Sequence, residues 1–111
     1  MTAPPESLSR ARALIESRFR EPLDVPTLAS AARLSPAHFS REFHRRYGES
    51  PHQCLIGRRM QAAAELLRGS DHAIAEICRA VGLRSVGSFT TTFTRTFGLP
   101  PARYRALRRA E

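Results

Sequence analysis

The sequence predicts an all-α chain in which a unit of helix, tight turn and helix occurs twice, once on each side of a long helix. Three observations predict it. Apolar residues recur at intervals of three and four along nearly the whole chain, the period of a helix buried on one face. Start and stop signals (Asp, Ser-Pro, Gly) fall at the ends of those periodic runs. A set of apolar and turn residues also repeats at an offset of 49 to 50 positions.

Residues 7–20 place Leu8, Ala11, Leu14, Ile15 and Phe19 at helical spacing, and Glu21-Pro22 ends the segment. Asp24 is an N-cap for a short helix carrying Val25, Leu28, Ala29 and Ala32. Ser35 caps the next helix with Pro36 at its first position. Its apolar stripe is Phe39, Phe43 and Tyr47, and Gly48 closes it. Ser50-Pro51-His52-Gln53 reads as a capping box. A longer helix over 51–68 follows, with Leu55, Ile56, Met60, Ala63, Leu66 and Leu67 facing inward, and Gly69-Ser70-Asp71 ends it.

The pattern then returns. Val25, Leu28, Ala29, Ala32 and Leu34 correspond to Ile74, Ile77, Cys78, Val81 and Leu83 at an offset of 49. Ser35, Phe39, Phe43, Tyr47, Gly48 and Pro51 correspond to Ser85, Phe89, Phe93, Phe97, Gly98 and Pro101 at an offset of 50. Two copies make a duplicated module rather than a solenoid. Thr90-Thr91-Thr92-Phe93-Thr94 is β-branched and locally favours strand. The three Phe residues keep the helical spacing of the first copy, and strand alternation would bury Arg95 with them, so helix is predicted. Pro100-Pro101 and Tyr104 predict a last helix packed near the second unit. The resulting division is a first lobe over about residues 7–50, a linker helix over about 51–68 and a second lobe over about 71–109.

A chain of 111 residues is one domain or two very small lobes. Its 41% apolar content is too high for a disordered chain. Net charge is +8, and all 18 basic residues are Arg. High-GC codon usage explains the choice of Arg over Lys but not the surplus over 10 acids. Guanidinium forks match phosphates and guanine edges, so the surplus points to nucleic acid. Cys54 and Cys78 occupy apolar helix positions without a CxxC pair, which predicts buried, reduced thiols. No signal peptide and no membrane-spanning run is visible, and a cytoplasmic protein is expected.

In a helix-turn-helix the second helix enters the major groove and its N-terminal residues touch base edges. Such a helix needs an apolar anchoring stripe, small or hydrogen-bonding residues opposite, and no acid near its start to repel phosphate. In the first copy Ala37, His38, Ser40 and Arg41 lie off the Phe stripe. Arg41 suits a guanine, and Arg45, one turn on, suits a phosphate. In the second copy the free positions are Val86, Gly87, Ser88, Thr91 and Arg95, which offer methyl contacts and single hydrogen bonds. The first helix is therefore expected to discriminate sequence, and the second to fit shape and backbone. The helix between them would be roughly 27 Å long, which suits successive major grooves roughly 34 Å apart.

From Leu23 to about Leu107 the chain resembles the DNA-binding domain of the AraC/XylS family of bacterial transcription regulators. The strongest segment is Ile74-Ala-Glu-Ile-Cys-Arg-Ala-Val-Gly-Leu83, followed by Ser85, Phe89, Phe93, Gly98, Pro101 and Tyr104-Arg105. Leu28-Ala29, Leu34-Ser35-Pro36, Phe39-Ser40-Arg41, Phe43, Gly48 and Pro51 add to it. The resemblance implies seven helices in a homeodomain-like tandem of two lobes, and activation through RNA polymerase. By position it implies base reading by Ala37, Ser40, Arg41, Gly87, Ser88 and Thr91. His38, Arg45, Arg59 and Arg95 are the candidates for phosphate, Arg59 matching a basic position on the linker helix. Departures are Leu83 where Phe is frequent, Thr91 where Arg is, and Thr94 where Lys or Arg is. They thin the second reader's contacts.

The expected partner is double-stranded DNA. The initial Met and the near-complete first helix favour a stand-alone regulator, binding as a monomer, over the C-terminal domain of a longer one. No cofactor or metal is expected, because His38, His44, His52 and His72 form no ligand set, and no catalytic motif occurs. An architectural DNA-coating protein and a protein-docking sensor module are the alternatives.

Overall fold

The computed structural model describes residues 4–110 as seven α-helices with no strand among them. These are α1 (Pro5–Arg18), α2 (Val25–Ala31), α3 (Pro36–Tyr47), α4 (Pro51–Gly69), α5 (Ile74–Ala80), α6 (Val86–Phe97) and α7 (Pro101–Ala110). The threonine run is helical. Thr94 and Thr96 return their hydroxyls to the carbonyls of Thr90 and Thr92 at 2.7 and 2.9 Å, which satisfies the β-branched side chains within the helix.

The chain divides into two compact units between Arg58 and Arg59, inside α4. The first unit packs α1, α2 and α3 with the opening turns of α4. Leu8, Ala11, Ile15, Phe19, Leu28, Phe39 and Phe43 are all at most 3% exposed. Each side chain of that size contributes about 1.5–3 kcal/mol when withdrawn from water. The second unit repeats the arrangement with the rest of α4, α5, α6 and α7. Met60, Ala63 and Leu67 of α4 are fully buried at the spacing of Leu8, Ala11 and Ile15, offset by 52 positions. The duplication thus extends beyond helix, turn and helix, and α4 serves as the second unit's first helix. Leu14, Ile56 and Leu66, expected to face inward, are half-buried because they lie at the edges of their stripes.

The two turns match bond for bond. Leu34 N–H donates to the Ala29 carbonyl and Arg33 N–H to Ser30, each at 3.0 Å, and Leu83 and Gly82 do the same to Cys78 and Arg79. This is a Schellman closure, which needs a left-handed residue just past the helix. In the second unit that residue is Gly82 (φ 93°), while the first unit holds Arg33 there at φ 59°. The first turn therefore carries strain that the second avoids.

Each unit is also closed by arginine. In the first, Arg58 Nε lies 3.3 Å from Glu16 Oε2, and its guanidinium lies 4.2 Å over the Phe19 ring. In the second, Arg105 donates to the carbonyls of Leu67 and His72 at 3.1 and 2.8 Å. Arg109 bonds the Asp71 carboxylate at 2.6 Å and also the Ser70 carbonyl. Tyr104 meets Phe93 edge-on at 5.2 Å and accepts from Arg68 at 2.6 Å. The basic C-terminal cluster is thus bound back onto the end of α4 rather than being a loose tail. None of the described helices is long and apolar enough to cross a membrane.

Candidate nucleic-acid interface

Both candidate reading helices begin and end alike. The Ser35 hydroxyl accepts from His38 N–H and the Ser85 hydroxyl from Ser88 N–H, each at 3.2 Å. Each helix ends at a left-handed glycine, Gly48 (φ 77°) and Gly98 (φ 81°), whose N–H returns to the residue four back. Rings at i, i+4 and i+8 anchor each helix, with centroids 5.5 and 4.7 Å apart in α3 and 5.8 and 4.6 Å apart in α6. This anchoring turns the remaining positions outward. Ala37, Arg41 and Arg45 are exposed on α3, with Ser40 and His38 half-buried beside them. Gly87, Ser88, Thr91 and Arg95 are exposed on α6. Neither helix has an acid in its first turn.

Arg59 does not join these residues. It is 7% exposed, and burial lowers its pKa. So little exposure weighs against the phosphate role expected of Arg59.

A residue that sequence reasoning missed is Glu42. It stands next to Phe43 and is only 4% exposed, although it lies on a candidate reading helix. Its Oε2 is 3.4 Å from Arg45 Nη1, and its Oε1 is 4.0 Å from His38 Nε2. The signal was present as an acid three residues before one cation and four after a histidine, the spacings that meet on one helix face. Ser35, His38, Arg41, Glu42 and Arg45 together line one open depression.

The remaining reactive groups are quiet. Cys54 and Cys78 are buried, and burial pushes both thiols up, away from the thiolate that nucleophilic or redox chemistry requires. Among the described residues, no group of His, Cys, Asp and Glu is placed to hold a metal ion.

A family model described as a helix-turn-helix domain matches residues 28–107. Over 93 residues, 84% of this chain, the sequence is 31% identical to the uncharacterized HTH-type transcriptional regulator YobQ of Bacillus subtilis (strain 168). Over 81 residues it is 36% identical to the RCS-specific HTH-type transcriptional activator RclR of Escherichia coli (strain K12). The chain spans well under half the length of these curated relatives, 39% and 28% respectively. Its structure is similar to that of the DNA-binding domain of AdpA in complex with a target DNA. The TM-score is 0.89 with 36% identity, and 94% of each chain is covered. It is also similar to a transcriptional regulator with an AraC-type DNA-binding domain from Chromobacterium violaceum, with a TM-score of 0.85, 28% identity, and 93% of this chain and 92% of that one covered. Seven helices, paired turns and outward reading stripes agree with these likenesses: the chain belongs to the AraC-type helix-turn-helix family of DNA-binding transcriptional regulators.

Proposed function

We propose that this chain binds specific DNA sequences to regulate transcription, with α3 and α6 entering successive major grooves. The observation that carries this reading is the pair of identically capped helices, each anchored by a triplet of rings and each showing an outward stripe with no acid in its first turn. Ala37, Ser40 and Arg41 read bases in the first half-site, and Gly87, Ser88 and Thr91 in the second. His38, Arg45 and Arg95 meet phosphates. Helix α4 has 19 residues and is therefore about 28 Å long, a length compatible with one helical turn of DNA.

The likeness to a protein named as a transcriptional activator supports activation, with RNA polymerase as the partner. Two readers on one chain support binding as a monomer, and a DNA target supports a place in the cytoplasm at the bacterial nucleoid.

The test is selection of bound duplexes from a random pool, followed by titration against competitor DNA at physiological salt. Two short enriched blocks about one helical turn apart are expected, with the tighter consensus facing α3. Binding that vanishes under competitor without any enriched sequence would instead indicate a sequence-neutral coating protein.

A further inference from the structure

Glu42 is the one acid on α3 and is nearly fully buried. A carboxylate there is doubly unexpected. Burial of a charge is unfavourable unless partners meet it, and a negative charge beside a phosphate-lined groove is repulsive. Arg45, at 3.4 Å from one of its oxygens, and His38, at 4.0 Å from the other, have side chains that reach solvent on the same helix face as Arg41. The second helix supplies the contrast. It keeps the arginine, Arg95, but has Thr92 in the place of Glu42 and Ser88 in the place of His38. Arg95 forms no ion pair among the described residues.

We propose that Glu42 is a specificity-determining positioning residue of the first reading helix. It holds Arg45 and His38 in one arrangement beside Arg41, so that the helix fits one pattern of bases and phosphates. A freely rotating arginine follows whichever phosphate is nearest and adds affinity for any duplex. A tethered one is pre-organised for a single geometry, and the carboxylate opposes poorly placed phosphates. Glu42 thus trades general affinity for discrimination. The proposal rests on the reading of α3 as a DNA reader given above.

The test compares the wild-type chain with Glu42→Gln, Glu42→Met, Arg45→Ala and the Glu42→Gln/Arg45→Ala double variant. Each is titrated with a duplex enriched by the wild-type chain and with a scrambled duplex of equal composition. Glu42→Gln is expected to bind the enriched duplex about threefold to fivefold more weakly, the scale of an ion pair to a largely exposed arginine. It is expected to bind the scrambled duplex about twofold to threefold more tightly, because one negative charge near the backbone is gone. In the Arg45→Ala background the same change is expected to have a clearly smaller effect on the enriched duplex, because only the His38 contact remains to be lost. Glu42→Met, which fills the buried space with an apolar side chain, is expected to show the same loss of discrimination with its melting temperature maintained.

Equal weakening on both duplexes together with a lowered melting temperature in both Glu42 variants would make the residue structural and overturn the proposal. So would a Glu42→Gln effect that persists in full without Arg45. If the wild-type chain enriches no sequence at all, the DNA-reading function itself falls. A wild-type chain that discriminates alongside a Glu42→Gln chain that discriminates equally refutes the role of Glu42 alone.

Discussion

The two halves of this molecule are alike inside and different outside. Buried Phe39 and Phe43 have their counterparts in buried Phe89 and Phe93, and the serine caps, turn hydrogen bonds and left-handed glycines correspond in the same way. Beside the ring stripe of the reading helices, His38, Arg41 and the buried Glu42 stand where the second copy has Ser88, Thr91 and Thr92. Packing tolerates few residues at an anchoring position, because a lost methylene leaves a cavity that neighbours fill only in part. Packing constrains the outer stripe far less, so differences accumulate there. The likeness of the halves therefore reports on folding, and their unlikeness is where the proposed recognition is to be tested.

The largest test of this contrast is in the core. Phe43→Ala and Phe93→Ala are each expected to cost about 3–5 kcal/mol, enough to unfold much of so small a chain, as measured by chemical denaturation. Similar losses would confirm equal interiors, and a tolerated Phe93→Ala would break the equivalence. Next in size is recognition. Arg41→Ala is expected to weaken binding to an enriched duplex by about 1–3 kcal/mol, the scale of a bidentate contact to guanine. Thr91→Ala should weaken it by less than about 1 kcal/mol, as suits a single methyl or hydroxyl contact. Equal effects would remove the ranking of the two readers.

The helix starts give a smaller contrast. The Asp24 carboxylate caps α2 by accepting from Thr27 N–H at 2.8 Å, whereas α5 begins at Ala73, which has no capping side chain and relies on Glu76 reaching back at 3.2 Å. Ala73→Ser completes the second capping box and is expected to stabilise the chain by about 1 kcal/mol in thermal melts. The Asp24 cap is pH-dependent. The hydrogen bonds from Thr27 hold its carboxyl below the usual aspartate value. Its contribution is therefore complete above the unfolded carboxylate value and is lost as pH falls through the lower, folded one. The melting-temperature gap between wild type and Asp24→Ala should accordingly be full at neutral pH and close in acid. The smallest effect concerns the first turn. Arg33→Gly removes a left-handed side-chain penalty at some cost in chain entropy, for an expected net gain of about 0.5 kcal/mol by denaturant titration.

Much of this architecture was legible in the residues because the signals are local. Ser35, Asp24 and the Ser50–Gln53 box act within three residues, and the Phe triplets report a helical period directly. The repeat made the weak threonine run readable by comparison with its stronger twin. Three things were not legible. Arg59 looks like any surface arginine in sequence, and its burial depends on the packing around α4, which no local pattern encodes. Glu42 was overlooked because acids are normally solvated, and its burial follows from its place on the flank of the Phe39–Phe43 stripe. The role of α4 as a member of both units was also hidden. The match of Leu8, Ala11 and Ile15 to Met60, Ala63 and Leu67 carries no punctuation, and its meaning appears only when their burial is compared.

The shared end geometry of α3 and α6 makes the outer stripe portable. Because a serine cap and a left-handed glycine fix the same twelve-residue span in each, residues can be exchanged at equal positions without moving the anchors. Arg95 already matches Arg45, and a methyl group added at Gly87 would meet only the Ser85 hydroxyl, at 3.9 Å. Transplanting Ala37, His38, Ser40, Arg41 and Glu42 onto positions 87, 88, 90, 91 and 92 would write one vocabulary into both readers. A chain so rewritten should favour an operator in which the same word occurs twice, which would make the duplication in the protein visible in the DNA it selects.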